Sequence, residues 1–253
     1  MTACEMPVET RSAIDLLFAD MDKLGPGDDE QTLYVLRSVP RHRFDVVVDA
    51  GCGVGRQTFV LARELKMDIY AVDSHQPFLD RLNQRAEQKG LAHLVRTLCM
   101  DMTDIPHVSP SIDLLWSEGA AYNIGFENAL ARWAEAISPR GFAVVSELCW
   151  LRKEIPDSVS EFFRSGYPDM ESVPENIEIA ERAGYEIFNI YMLPEKAWIE
   201  DYYGILGSRA KSLINHADSA IRDLALETIK EIDAFRCSKG SYGYVFFVLR
   251  RKT

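Results

Sequence analysis

The stretch Val46-Val47-Val48-Asp49-Ala50-Gly51-Cys52-Gly53-Val54-Gly55 decides how the rest of the chain is read. Residues 44–49 form a short β-branched run, the pattern of a strand buried on both faces. The glycines that follow allow unusual backbone angles and let a ligand approach the main chain closely. A helix predicted over 56–66 then presents unpaired N–H groups at its N-terminus. This geometry suits a nucleotide-like ligand lying over the carboxyl ends of parallel strands.

Downstream, strands and helices alternate. Strands are predicted over 68–73, 94–99, 112–116 and 142–148, and helices over 76–89 and 126–138. Gly90 closes the first of these helices, and Pro139 with Gly141 closes the second. Such alternation implies right-handed crossovers and a mostly parallel sheet with helices on both faces. Further on, helices are predicted over 157–164 and 175–183, a sixth strand over 187–193 and a last strand over 244–250. Helices over 198–216 and 219–236 fill the interval before that last strand. The insert is too long for a plain connection, so it caps a site or forms an oligomer surface, with a homodimer as the second case. Upstream, Ile14, Leu17, Phe18 and Met21 lie on one helical face. Gly25-Pro26-Gly27 breaks the chain, and Asp28 with Gln31 reads as a capping box for a helix burying Leu33, Leu36 and Val39. The expectation is one domain over 1–253, with a helical cap over 1–40 and a helical insert over 198–236.

Composition narrows the function. The 253 residues carry 28 Lys and Arg against 39 Asp and Glu, a net charge of -11. That balance opposes binding to a phosphate backbone. Apolar runs are too short to span a bilayer, and residues 1–10 lack the basic start and apolar stretch of a signal peptide. Cys4, Cys52, Cys99, Cys149 and Cys237 are scattered, as are His42, His75, His93, His107 and His216, so neither disulfides nor a metal site is expected. The expected address is the cytoplasm.

The glycine spacing excludes the dinucleotide fingerprint, which needs Gly-x-Gly-x-x-Gly; here Arg stands at position 56. The acid two residues before the first glycine suits a ligand with an ammonium and a sulfonium better than a pyrophosphate. The pattern Asp49-x-Gly51-x-Gly53-x-Gly55 after a strand resembles the first motif of the class I S-adenosylmethionine (SAM) methyltransferases, and the resemblance runs from about residue 44 to 148. It looks closest to the small-molecule branch of that family. It implies a Rossmann-like α/β fold with a seven-stranded sheet whose last strand is antiparallel, inserted beside the fifth, and SAM as cofactor. Cofactor contacts fall on Asp49, Gly51, Cys52, Gly53 and Gly55. The resemblance gives Asp73, beside Ser74, the ribose hydroxyls, a bidentate match of two acceptors to two donors. It gives Asp101 and Met102 the adenine amine and ring.

Methyl transfer relies mostly on holding the nucleophile in line and excluding water, so no triad is required. After the fourth strand the chain reads Ser117-Glu118-Gly119-Ala120-Ala121-Tyr122-Asn123, without the Asn/Asp-Pro-Pro-Tyr/Phe or Pro-Cys signatures of nucleic-acid methyltransferases. Counterparts of the magnesium-holding acids of the catechol type are missing too. Glu118 is a candidate for orienting the cofactor's methionine part or the substrate, or else a cap. Tyr122 and Asn123 are candidates to lie over the cofactor. Glu147 and Trp150 are candidates to face the acceptor, though a core tryptophan is the commoner outcome. Tyr202 and Tyr203 are candidates for a lid, and Gly25–Gly27 for a hinge. The reading is a SAM-dependent methyltransferase of a small molecule; the alternative is a noncatalytic SAM-binding or partner-binding protein of the same fold.

Overall fold

The computed structural model describes residues 8–40 and 43–253. Cys4, His42 and the first seven residues, on which parts of the cysteine, histidine and leader readings rest, lie outside them. Two helices open the chain, α1 (Val8–Leu17) and α2 (Asp29–Ser38). Asp28 caps α2 by accepting from the Gln31 amide at 2.7 Å, one half of the expected box. The buried face of α2 is Thr32, Val35 and Leu36, continued by Val39. Leu33 is only half-buried, because Thr32 takes the inward place and hydrogen-bonds across to Glu118.

The alternating section follows as β1 (Val47–Ala50), α3 (Arg56–Leu65), β2 (Ile69–Asp73), α4 (Gln76–Gln88), β3 (Val95–Cys99), β4 (Ile112–Glu118), α5 (Phe126–Ala134) and β5 (Ile137–Trp150). After it come α6 (Asp157–Gly166), α7 (Val173–Arg182), β6 (Tyr185–Met192) and the short α8 (Lys196–Trp198). A π-helical turn at Ile199–Tyr203 joins α8 to α9 (Gly204–Leu213); α10 (Ser219–Cys237) and β7 (Tyr242–Arg251) end the chain. The strand order is β3-β2-β1-β4-β5-β7-β6. β1 to β5 run parallel, and β7 inserts antiparallel between β5 and β6, as the resemblance implied.

Among the boundaries that differ from expectation, the one between α5 and β5 has a clear cause. α5 stops at Ala134 rather than 138, and Ile137 already pairs with Ile112 on β4. Pairing resumes at Phe142 with Leu114, so residues 138–141 step out of the ladder. Pro139 has no N–H to give the ladder and Arg140 sits at φ 64°, which together force the excursion.

The sheet separates two apolar layers. Val47, Trp116, Val144 and Phe246 face one layer, which includes Trp198 of the insert; Val48, Leu115, Val145 and Phe247 face the other, around Trp133 and Tyr185. Burial on both faces removes the alternation of polar and apolar residues, which is why β1 reads as a continuous apolar run. This stacking leaves the carboxyl ends of β1, β2 and β4 pointing at one cavity. Among the described residues, no helix is long and apolar enough to cross a membrane.

Candidate functional site

The glycine loop leaves β1 and is pinned at once. The amides of Gly51 and Cys52 both donate to the Val72 carbonyl on β2, at 2.9 Å each. Gly51 has φ 71°, and a β-carbon there would lie 2.3 Å from the Ala120 β-carbon. Gly55, at φ 84°, leaves the room that Leu82 of α4 fills; a β-carbon would meet it at 2.5 Å. A side chain at either position would push loop and neighbour apart.

Around this loop lies a cavity of about 450 Å³, within the range of small-ligand sites of roughly 300–1,000 Å³. Its floor is Gly51, Cys52, Gly53 and Gly55; its walls include Asp73, Ser74, Asp101, Met102, Glu118, Tyr122 and Asn123. Asp73 ends β2, where Oδ2 accepts from the Gly53 amide and Oδ1 from the His75 amide, both at 2.9 Å. Burial raises its pKa, and the two amides oppose that rise. Asp101 follows β3 and caps the 3₁₀ turn Met102–His107, with Oδ1 accepting from the Thr103 amide at 2.8 Å and hydroxyl at 2.6 Å. The cap reading and the cavity reading of Asp101 therefore hold together. Met102 is fixed beside it by Trp133, whose indole N–H donates to the Met102 carbonyl at 2.9 Å.

Glu118 connects the sheet to the N-terminal cap. Its Oε1 accepts from the Trp116 indole at 2.8 Å and the Thr32 hydroxyl at 2.7 Å, and its Oε2 from Lys23 Nζ at 2.5 Å. Ile14, Phe18, Leu24, Gly25 and Pro26 roof the cavity. The roof is tied down from three further directions. Arg81 donates to the carbonyls of Phe18 and Met21, Arg85 to the Asp22 carboxylate at 2.7 Å, and Arg209 of α9 to the Leu17 carbonyl. His75, itself in the wall, meets Asp15 at 2.8 Å. Lys23, His75, Arg81 and Arg85 escaped the sequence reading because each partner lies some sixty or more residues away, and no local spacing marks them.

Several candidates fall elsewhere. Asp49 is fully buried beneath the loop and does not line the cavity. It accepts from the Thr58 hydroxyl at 2.5 Å and the Gln57 amide at 3.3 Å, so it anchors the start of α3, and burial pushes its carboxyl up to about 7. Trp150 packs edge-on against Phe163 and Tyr242 in the core instead of facing the cavity. Tyr202 and Tyr203 are buried in the insert, outside the cavity wall; the Tyr203 hydroxyl donates to Glu231 at 2.7 Å. The insert's contribution to the wall is Leu224. Glu147 lies behind the wall, not in it. Among the described residues, no group of three or more His, Cys, Asp or Glu is placed to hold a metal ion.

A cofactor fits this donor set. Asp73 faces the cavity with acceptor capacity left on both oxygens, Asp101 keeps Oδ2 free, Met102 offers an apolar surface, and the glycine loop leaves bare main chain. Residues 47–141 match a family model described as a methyltransferase domain. A SAM-dependent methyltransferase from Geobacter sulfurreducens, solved with S-adenosylhomocysteine, is 17% identical with TM-score 0.80, covering 98% of this chain and 99% of its own. Another from Thiobacillus denitrificans, also with S-adenosylhomocysteine, is 18% identical with TM-score 0.81, covering 100% of both chains. A (4+2) cyclase shares the fold at 16% identity and TM-score 0.75, covering 97% of this chain and 93% of its own.

Proposed function

We propose that this chain, which carries a methyltransferase domain over residues 47–141 and uses SAM as its cofactor, passes the methyl group to a small molecule enclosed beneath the N-terminal cap. In this reading Asp73 holds the ribose hydroxyls, Asp101 and Met102 hold adenine, and the loop from Gly51 to Gly55 holds the methionine part. The cofactor supplies a methyl group activated by its bond to a sulfonium. The protein's share is to orient the acceptor and keep water out.

The observation that carries the acceptor reading is the roof. Lys23, Leu24, Gly25 and Pro26 lie over the cavity, and the Lys23–Glu118 bridge closes them onto the sheet. A polymer or a folded protein would have to displace this roof. The net charge of -11 adds electrostatic opposition to nucleic acid. The scattered cysteines, of which Cys52, Cys149 and Cys237 are free thiols, support a cytoplasmic address. One finding favours a second reading, a protein that binds SAM without transferring its methyl: the same fold carries a (4+2) cyclase.

The test is methyl transfer from labelled SAM to a metabolite extract, set beside RNA, DNA and folded protein. Labelling of extract components alone is expected. A protein lacking residues 1–27 should keep its sheet yet lose cofactor retention and turnover. Full activity after truncation, or preference for the polymers, would refute the enclosed-acceptor reading.

A further inference from the structure

A second cavity, of about 450 Å³, opens at the end of the sheet opposite the glycine loop. It lies where the start of β5, the start of β6 and the end of β7 meet. Phe142 on β5 pairs with Arg250 on β7, and Arg250 pairs in turn with Glu186 on β6. That register gathers Arg140, Arg250, Arg251 and Lys252 around one space, and Glu186 is the one acidic side chain lining it among the described residues. Thr253 completes the wall, and positive charge remains in excess even with a terminal carboxylate counted there.

The four cations are not equally engaged. Arg250 is held by the Glu186 carboxylate. Arg251 is fixed by the main chain: its Nε donates to the Ala134 carbonyl at 3.2 Å and its Nη1 to the Gly184 carbonyl at 2.8 Å. Its guanidinium also lies 5.9 Å from the centre of the Tyr185 ring. Carbonyls orient a guanidinium without cancelling its charge. Among the described residues, the side chains of Arg140 and Lys252 make no hydrogen bond or ion pair, and both are exposed. Arg140 also holds a left-handed backbone, φ 64°, where glycine would sit without strain. Strain kept where glycine would relieve it points to a use for the side chain. In a protein of net charge -11, cations gathered around one cleft run against the overall field.

We propose that this cavity binds the phosphoryl group of a small molecule, with Arg140 and Lys252 supplying the counter-charge and Arg251 a fixed guanidinium. A phosphate monoester carries about -1.5 to -2 charge at neutral pH, which matches two uncommitted cations; a carboxylate carries only one charge. Guanidinium forks suit its oxygens. The volume suits a metabolite, and the net charge of the protein opposes a long phosphate polymer. The site shares no wall residue with the cavity at the glycine loop, so it stands independently of the methyl-transfer reading.

Calorimetry with phenyl phosphate, inorganic phosphate and benzoate tests this. Phenyl phosphate should bind about tenfold tighter than benzoate or better, the worth of one charged hydrogen bond. Inorganic phosphate binding at least as tightly as the ester would name free phosphate as the ligand; weaker binding would name an ester. Arg140→Gly keeps the left-handed turn without its strain, so the fold should be retained. That variant and Lys252→Gln should each weaken phenyl phosphate binding by about tenfold, with melting temperature not lowered and S-adenosylhomocysteine affinity unchanged. Saturation with S-adenosylhomocysteine should leave phosphate affinity as it was. Equal binding of phenyl phosphate and benzoate, or unchanged phosphate affinity in both variants, would overturn the site. Competition between phosphate and S-adenosylhomocysteine would place the phosphate at the glycine loop and overturn it equally.

Discussion

The two sides of the cavity treat negative charge in opposite ways. At the ends of β2 and β3, Asp73 and Asp101 are held by the main-chain amides of Gly53, His75 and Thr103. Those amides orient each carboxylate before any ligand arrives. Across Tyr122, Glu147 has one main-chain amide on Oε1 and nothing on Oε2. The loop side is preorganised; the Glu147 side holds a carboxyl that its own structure does not fully satisfy. Preorganisation cuts the ordering cost of binding, whereas an unsatisfied group gains only when a partner supplies what is missing. Substitutions on the two sides should therefore differ in kind: affinity on one, stability and pH response on the other.

The largest effect is expected at the seam. Lys23 and Glu118 are both buried, and their 2.5 Å contact joins the cap to the sheet. Lys23→Ala leaves that carboxylate without its cation, which typically costs about 3 kcal/mol or more. Chemical denaturation should register the loss, and it should shrink when Glu118→Gln is added, because the orphaned charge disappears. Next comes Asp73→Ala. Removing a charged hydrogen-bonding group should cost about 1.5–3 kcal/mol of SAM affinity, roughly ten- to a hundredfold. Calorimetry showing unchanged affinity would mean that Asp73 serves the loop and not the ligand.

The Glu147 side should answer to pH. Burial raises the Glu147 carboxyl from 4.5 to about 8, so between those values the folded state holds a proton the unfolded chain has lost. Stability from this group is thus full below about pH 4.5 and declines as pH rises through 8. Glu147→Gln removes that titration. At pH 8 the variant should be more stable than the parent by about 1–3 kcal/mol, the penalty of a buried unsatisfied group, and the difference should vanish near pH 4.5. Melting curves across that range check it.

The same contrast explains what was legible in the sequence. The loop side is local: Asp49 to Gly55, Asp73 and Asp101 each sit at or just after the end of a predicted strand, so position along the chain gives position in space. The cap ties and the surroundings of Glu147 are not local. Lys23 reaches Glu118 across 95 residues, and Tyr203 reaches Glu231 across 28. Glu147 reads in the sequence as a candidate to face the acceptor, whereas the fold buries it behind the cavity wall. Tyr202 and Tyr203 stayed ambiguous because aromatic residues in a long insert suit a lid and a core equally well; packing of Tyr203 against Trp198, Phe235 and Tyr202 places the pair in the core.

Asp49 provides the smallest effect and the finest test of the comparison. The motif places an acid before the glycines, and that acid reads as a partner for the cofactor's cationic groups. The structure puts its carboxylate under the loop, fully buried, with Thr58 and Gln57 as donors. Burial is the first cause raising it to about 7, with the nearby carboxylates of Glu118 and Asp73 adding to the rise. At neutral pH it is therefore only partly ionised and a poor counter-charge. Asp49→Asn keeps an oxygen for the Thr58 hydroxyl while deleting the charge. SAM affinity at pH 7 should change by less than about threefold, under 0.7 kcal/mol. If the loss instead approached that of Asp73→Ala and grew from pH 6 to pH 8, as ionisation of the parent increases, Asp49 would belong with the ligand-holding acids. The division would then be between the whole β1–β3 edge and the surroundings of Glu147, with no supporting acid beneath the loop.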